Sequence, residues 1–257
     1  MQVRSTNNTN GATFTELITV GSTNIYAMQQ VQQGLAAHGN TYFAQQQTAG
    51  KGQRGKSWNA EAGKNILMSI VLNTESINLY NRFGVSIAVA LAAHNIFSKY
   101  AGDETKIKWP NDIYWRDRKA AGILIENIIR GNQWHWAVAG VGMNINQASF
   151  DTTLKNAVSL KQITGSEHNV ISMAKELSQQ VLFYFQRFAD GKFHELLQQY
   201  NSLLYKKNET IKLKKANAVF ECIVKAVNMQ GELEVAGALQ PAYTHDEAEW
   251  VITKTAD

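Results

Sequence analysis

Residues 45–58 read QQQTAGKGQRGKSW, and the fold turns on how this stretch is understood. It sets three glycines (Gly50, Gly52, Gly55) among three cations (Lys51, Arg54, Lys56) and closes on Trp58. Glycine tolerates positive φ and close backbone approach, so such a loop can wrap a ligand with its own N–H groups. The cations suit phosphate, and the indole offers a flat face to a ring. Residues 50–57 (GKGQRGKS) also match the phosphate-loop pattern G-x-x-x-x-G-K-[ST] at every position. That pattern requires a buried strand before it and a helix after it, because the helix N-terminus holds the phosphates. Here polar QQQTA lies upstream, and downstream Gly63 and the strand-like run at residues 66–72 leave no room for a helix of normal length. No hydrophobic run ends in a metal-binding Asp of the Walker B kind. The stretch is therefore read as a mobile loop that folds over a phosphorylated ligand, set between a short strand at residues 41–47 and a buried strand at 66–72.

Working outward, 257 residues suffice for one large domain or a large domain with a small appendage. The chain is 44% hydrophobic and 18% charged, which suits a globular protein with a real core. A net charge of +4 favours an anionic ligand or acidic partner and is too mild to specify nucleic acid. The single cysteine, Cys222, excludes an internal disulfide framework and fits a reducing compartment. Residues 1–12 lack the apolar core of a signal peptide, and the most apolar windows, such as residues 85–93, are about half the length needed to cross a bilayer. The expectation is a cytoplasmic protein with no membrane association.

Residues 13–20 (TFTELITV) alternate and are β-branched, predicting a strand. Ser22 or Thr23 can then cap a helix carrying Ile25, Met28, Val31 and Leu35, a bland role that competes with ligand binding at this strand-to-helix junction. Residues 79–100 give the clearest helix, and His94 beside its apolar face reads as a core histidine. In KIKWPND (residues 106–112) Pro110 marks a break between two strands. A strand over 119–126, a turn at Gly131-Asn132 and an alternating strand ending in GVGMNIN follow. Lys119 by itself reads as a solvated surface lysine, although the small Gly122 nearby lets a ligand approach the backbone. Helices are predicted over 170–189 and 192–204. From Asn208 short strands take over (210–213, 219–227, 232–235), suggesting a small β-barrel or SH3-like unit.

GKGQRGKSW, KWPNDIYWRDRKAAGILIE and GVGMNIN, in this order and spacing, resemble three signatures of biotin–protein ligases, and STN at residues 22–24 resembles a fourth. The resemblance implies an α+β fold: a mixed β-sheet with helices mainly on one side, like the class II aminoacyl-tRNA synthetase core, over residues 1–205. A small C-terminal SH3-like β-barrel would occupy residues 206–257. Regulatory members carry an additional N-terminal winged helix. Only about twelve residues precede the first predicted strand here, so the short monofunctional form, without DNA binding, is expected. The implied reaction activates biotin with ATP and Mg²⁺ as biotinyl-5′-AMP. It then transfers the biotinyl group to a lysine of a biotin carboxyl-carrier protein or of the carrier domain of a biotin-dependent carboxylase. A homodimer is compatible with the family.

By that resemblance Ser22, Thr23, Asn24 and Gln47 would hold the biotin ring or chain. Gly50, Lys51, Gly52 and Gln53 would lie beside the carboxylate and phosphate, with Gly122 and Gly140 as walls of close approach. Lys119 would contact both the carboxylate and the α-phosphate. Lys56, Trp58, Asn111 and Asn144 would surround the nucleotide, Trp58 packing on adenine. Asp112 would position Mg²⁺ and water or assist the incoming amine; no metal ligand is assigned. The family usually has arginine where this chain has Lys51 and Gln53, and Gln53 cannot make a charge-assisted fork. Arg54, next along, is expected to supply that charge. Two rival readings are a lipoate–protein ligase, which shares the acyl-adenylate logic, and a single-stranded nucleic-acid binder suggested by six tryptophans.

Overall fold

The computed structural model describes residues 3–7, 12–151, 154 and 156–251. The elements are β1 (Val3–Asn7), β2 (Thr13–Val20), α1 (Thr23–Gln32), β3 (Thr41–Gln47), β4 (Ile66–Asn73), α2 (Phe83–Ala101), β5 (Thr105–Lys108), β6 (Asp112–Trp115), β7 (Arg118–Arg130) and β8 (Gln133–Met143). There follow α3 (Leu160–Thr164), α4 (Val170–Ala189), α5 (Phe193–Ser202), β9 (Thr210–Lys215), β10 (Ala218–Val227), β11 (Leu233–Ala236), β12 (Ala242–Tyr243) and β13 (Glu249–Val251).

The main sheet has eight strands in the order β1-β2-β3-β4-β8-β7-β6-β5. β2 and β3 run parallel through the α1 crossover, and the other neighbours are antiparallel, so the sheet is mixed and the class is α+β. α1 covers one face through Leu17, Ala27, Tyr42, Ala44, Val71 and Val138. α2 and α4 pack together over the other face. α2 is apolar all round because the sheet lies on one side of it and α4 and α5 on the other. His94, on α2, is buried with Nε2 3.0 Å from the Thr105 carbonyl oxygen, as befits a core histidine, and burial lowers its pKa.

Two expectations change. The strand predicted first is the second, since Val3–Asn7 already pairs with it as an edge strand. α1 ends at Gln32, leaving Leu35 exposed beyond the helix. The phosphate-loop reading fails as argued: Ser57 leads through a turn into β4 with no helix between. Among the described residues no helix is long and apolar enough to cross a membrane.

The C-terminal strands form a five-stranded antiparallel sheet, β12-β11-β10-β9-β13, around Leu213, Val224, Leu233 and Tyr243. Cys222 is buried there, and burial pushes its thiol up to about 11. This unit is tied to the main sheet. Trp109 Nε1 donates to the Gly231 carbonyl at 2.8 Å, Tyr205 donates to the Asp117 carboxylate, and the Tyr114, Tyr205 and Trp250 rings pack in series at 5.2 and 5.7 Å.

Candidate functional site

The parallel pairing of β2 with β3 sets Val20 opposite Gln47, so the start of α1 and the end of β3 meet. Ser22 precedes α1 in an extended conformation and makes no side-chain cap. Thr23 instead donates through both its N–H and its hydroxyl to Gln47 Oε1, at 2.7 and 3.1 Å. Ser69, on β4, places its Oγ 2.7 Å from Thr23 Oγ1 and 2.5 Å from Asn24 Oδ1. Asn24 Nδ2 donates to the Leu124 carbonyl and to Glu126 Oε2, at 3.2 and 2.9 Å. A buried polar network bonded at this many points has one geometry, so Ser22, Thr23 and Asn24 form the floor of a small cavity and not merely a helix start.

Three glycines on the central strands make this possible. A Cβ at Gly140 would lie 2.2 Å from Asn24 Oδ1, one at Gly142 2.4 Å from the Trp58 indole, and one at Gly122 2.8 Å from that indole. The close approach expected at Gly122 and Gly140 is made by the site's own side chains. The small cavity is about 50 Å³, room for little more than a few waters with Trp58 in this position. Gln47, Lys51 and the Asn24 floor line it, and Lys119 closes one end. A larger cavity of about 360 Å³ adjoins it. Gly52, Gln53, Trp58, Asn111 and Lys119 line both, whereas Arg54, Lys56, Lys108, Asp112 and Asn144 line the larger one only. Gly50 lines neither. It lets the hairpin close, since a Cβ there would meet the Trp58 carbonyl at 2.3 Å.

Lys119 stands where the cavities meet. Its Nζ is 2.7 Å from Asp112 Oδ1 and 5.6 Å from the Trp58 ring centre. Asp112 Oδ1 accepts no hydrogen bond of regular geometry, so the ammonium beside it is its main compensation. A bulge between Ile113 and Tyr114 shifts the β6–β7 register beside this pair. Asn144 donates to the Val158 and Lys119 carbonyls at 3.2 and 3.4 Å, holding the strand that carries Lys119. Asn111 donates to the Ile123 carbonyl at 2.7 Å.

The glycine-rich stretch is a tight hairpin. Trp58 N–H bonds the Gly50 carbonyl at 2.9 Å and Gly52 N–H the Lys56 carbonyl at 2.7 Å, while Arg54 and Gly55 turn the tip with φ of 54° and 74°. The Arg54 guanidinium reaches the C-terminal unit: it donates to the His245 carbonyl and lies 3.6 Å from Glu249 and 4.0 Å from Asp246. Arg54 and Lys119 therefore line one cavity, with the guanidinium directed at Glu249 on its wall.

Several groups here were not singled out from the sequence. Ser69, Glu126 and Gly142 complete the network and the cleared surface. His245, Glu249 and Trp250 supply a wall of the larger cavity from the end of the chain. Lys108, the lysine of KWPND, is buried there with its pKa lowered to about 8 by desolvation.

The model of a family described as biotin/lipoate A/B protein ligase matches residues 16–144. The bifunctional ligase/repressor BirA of Escherichia coli (strain K12) is 30% identical over 146 residues, covering 57% of this chain and 44% of that protein. The biotin–[acetyl-CoA-carboxylase] ligase of Mycobacterium tuberculosis is 33% identical over 131 residues, 50% of this chain and 47% of that one. The chain thus spans about half the length of the curated relatives it matches. The structure of a biotin protein ligase from Aquifex aeolicus in complex with biotin and ATP superposes with a TM-score of 0.74 at 20% identity, over 93% of this chain and 95% of that one, which establishes a shared fold.

Proposed function

The chain belongs to the biotin/lipoate A/B protein ligase family, and from that premise we propose that it condenses biotin with ATP and passes the biotinyl group to a lysine of a carrier domain. The observation that carries this reading is Lys119, the one ammonium lining both cavities among the described residues. Two anions that must react need a shared cation between them. The small cavity, floored by amides and hydroxyls and walled by Trp58, suits the ureido ring and chain of biotin. The larger one, with Arg54, Lys56 and Lys108, suits the nucleotide. Its tryptophan wall, Trp58, suits a base.

In the first step a carboxylate oxygen of biotin forms a bond to the α-phosphorus, the bond from that phosphorus to the bridging oxygen breaks, and pyrophosphate leaves with the electron pair. Lys119 neutralises the approaching carboxylate and the developing charge, and the ion pair with Asp112 fixes where its Nζ stands. In the second step the amine of the acceptor lysine attacks the acyl carbon and AMP departs. Asp112, beside Lys119, is the carboxylate placed to take the proton the amine loses. The hairpin keeps water from the mixed anhydride. Among the described residues no cluster of three His, Cys, Asp or Glu could hold a metal. Mg²⁺ entering with ATP would ride on phosphates and water, as that ion commonly does.

The boundary between the catalytic part and an SH3-like unit is placed at residues 205/206, supported by the second sheet beginning at Thr210. Incubation with ATP, Mg²⁺, biotin and a biotin-carrier domain should add one biotinyl mass to the carrier. Mass gained with lipoate but not biotin would overturn the choice of acid.

A further inference from the structure

We propose that Lys108 is a phosphate-binding residue that grips the two phosphoryl groups leaving as pyrophosphate. This rests on the proposed ligase reading and narrows the part Lys108 plays in the larger cavity to the leaving phosphates.

Lys108 ends β5 at the inner wall of the larger cavity, and 8% of it is exposed. Its Nζ stands 5.1 Å from the Tyr114 ring centre and 5.1 Å from that of Trp250, one ring from each sheet. Among the described residues it has no hydrogen bond and no ion pair; the nearby carboxylate, Asp112, is already paired with Lys119. A buried ammonium whose compensation is two ring faces and a carboxylate shared with Lys119 is costly unless something anionic joins it. Methionine or leucine would pack this position without that cost. The other charged or titratable groups facing it are Lys119 and Asp112 from β7 and β6, Lys56 from the hairpin, and His245 and Glu249 from the C-terminal unit. Glu249 is drawn to Arg54, and burial lowers the His245 pKa, so neither answers the Lys108 charge. Lowering of the Lys108 pKa to about 8 by the same burial agrees with an ammonium awaiting its counter-ion.

Position decides which phosphates. Lys119 marks the reaction centre because it lines both cavities, while Lys108 lines only the larger one. On the proposed reading this sets Lys108 on the nucleotide's side of the reaction centre, where the departing charge accumulates. When the α-phosphorus–oxygen bond breaks, the electron pair goes to the pyrophosphate oxygen, and Lys108 stabilises that anion without giving up its proton.

The test compares wild type with Lys108→Met in the full chain, using inorganic pyrophosphate as product inhibitor. The expected result is a rise of about tenfold or more in the pyrophosphate inhibition constant and in KM for ATP. KM for biotin and the affinity for AMP should change by less than about threefold, since neither carries the leaving group. Equal weakening of AMP and ATP, or unaltered pyrophosphate inhibition, overturns the proposal. Should Lys108→Met fail to fold, Lys108→Arg replaces it. Wild-type pyrophosphate affinity should weaken as pH rises from 8 to 10 more steeply than in the arginine variant, and identical profiles overturn the assignment. Calorimetric binding of pyrophosphate reads Lys108 whether or not a carrier is biotinylated, so failure of the ligase reading is seen separately.

Discussion

Gly140→Ala is the sharpest probe of the site floor. The added Cβ would stand 2.2 Å from Asn24 Oδ1 and 2.9 Å from Asn24 Cγ, so the Asn24 amide must retreat by about 1 Å to reach ordinary contact. That movement breaks the 2.5 Å contact with Ser69 and the 2.9 Å bond to Glu126. Two buried hydrogen bonds at roughly 1–2 kcal/mol each give a loss of about 2–4 kcal/mol, divided between folding and biotin affinity. Biotin binding by calorimetry should weaken about 10²-fold and Tm should fall by several degrees. The cause is isolated by a double-mutant cycle with Asn24→Ala, which removes the atom that is struck. In that background Gly140→Ala should cost less than about 1 kcal/mol. Finding the full cost retained would refute the argument, because the obstruction would then lie elsewhere than at Asn24.

Lys119→Gln should lower kcat for ATP–pyrophosphate exchange by about 10²-fold, and a change confined to KM would assign it to uniform binding instead. Arg54→Ala should depress adenylation, and Asp246→Asn with Glu249→Gln should reproduce part of that loss by freeing the hairpin tip. A loss seen only with Arg54→Ala would give its guanidinium to phosphate directly. The Lys108 pKa is lower in the folded chain than in the unfolded one, so the unfolded state binds more protons between pH 8 and 10.5, and wild-type stability gains with pH across that window. Lys108→Met should be more stable than wild type at pH 7, by on the order of 2 kcal/mol in denaturant titration, with the difference shrinking as pH rises toward 10. An unchanged difference across that range would mean the ammonium is not under strain.

The sheet was legible where side-chain alternation is long. Thr13–Val20 and Thr41–Gln47 came out at their observed bounds, and GVGMNIN marked the end of β8. β1 was missed because VRSTN is short, polar and stabilised only by pairing with β2. β12 and β13, of two and three residues, are too brief to show a period. Residues 22–24, at the start of α1, and Lys119 and Gly122, on β7, come to one cavity because each short motif travels on a single element. What could not be read was the partner of each. Nothing near Arg54 in sequence points to Glu249, and nothing near Lys108 points to Trp250, which reaches it from the far end of the chain.

The seam between the two sheets has a last consequence. Every residue lining the small cavity precedes Met143, whereas the large one borrows Glu249 and Trp250 from β13 and His245 and Ala248 from the turn before it. On the proposed reading, the nucleotide's cavity therefore needs residues from the end of the chain that the acid's cavity does not. Damage to the final forty or so residues should blind the molecule to ATP while it still recognises biotin, a dissociation between the two ligands that a pocket built from one continuous segment could not display.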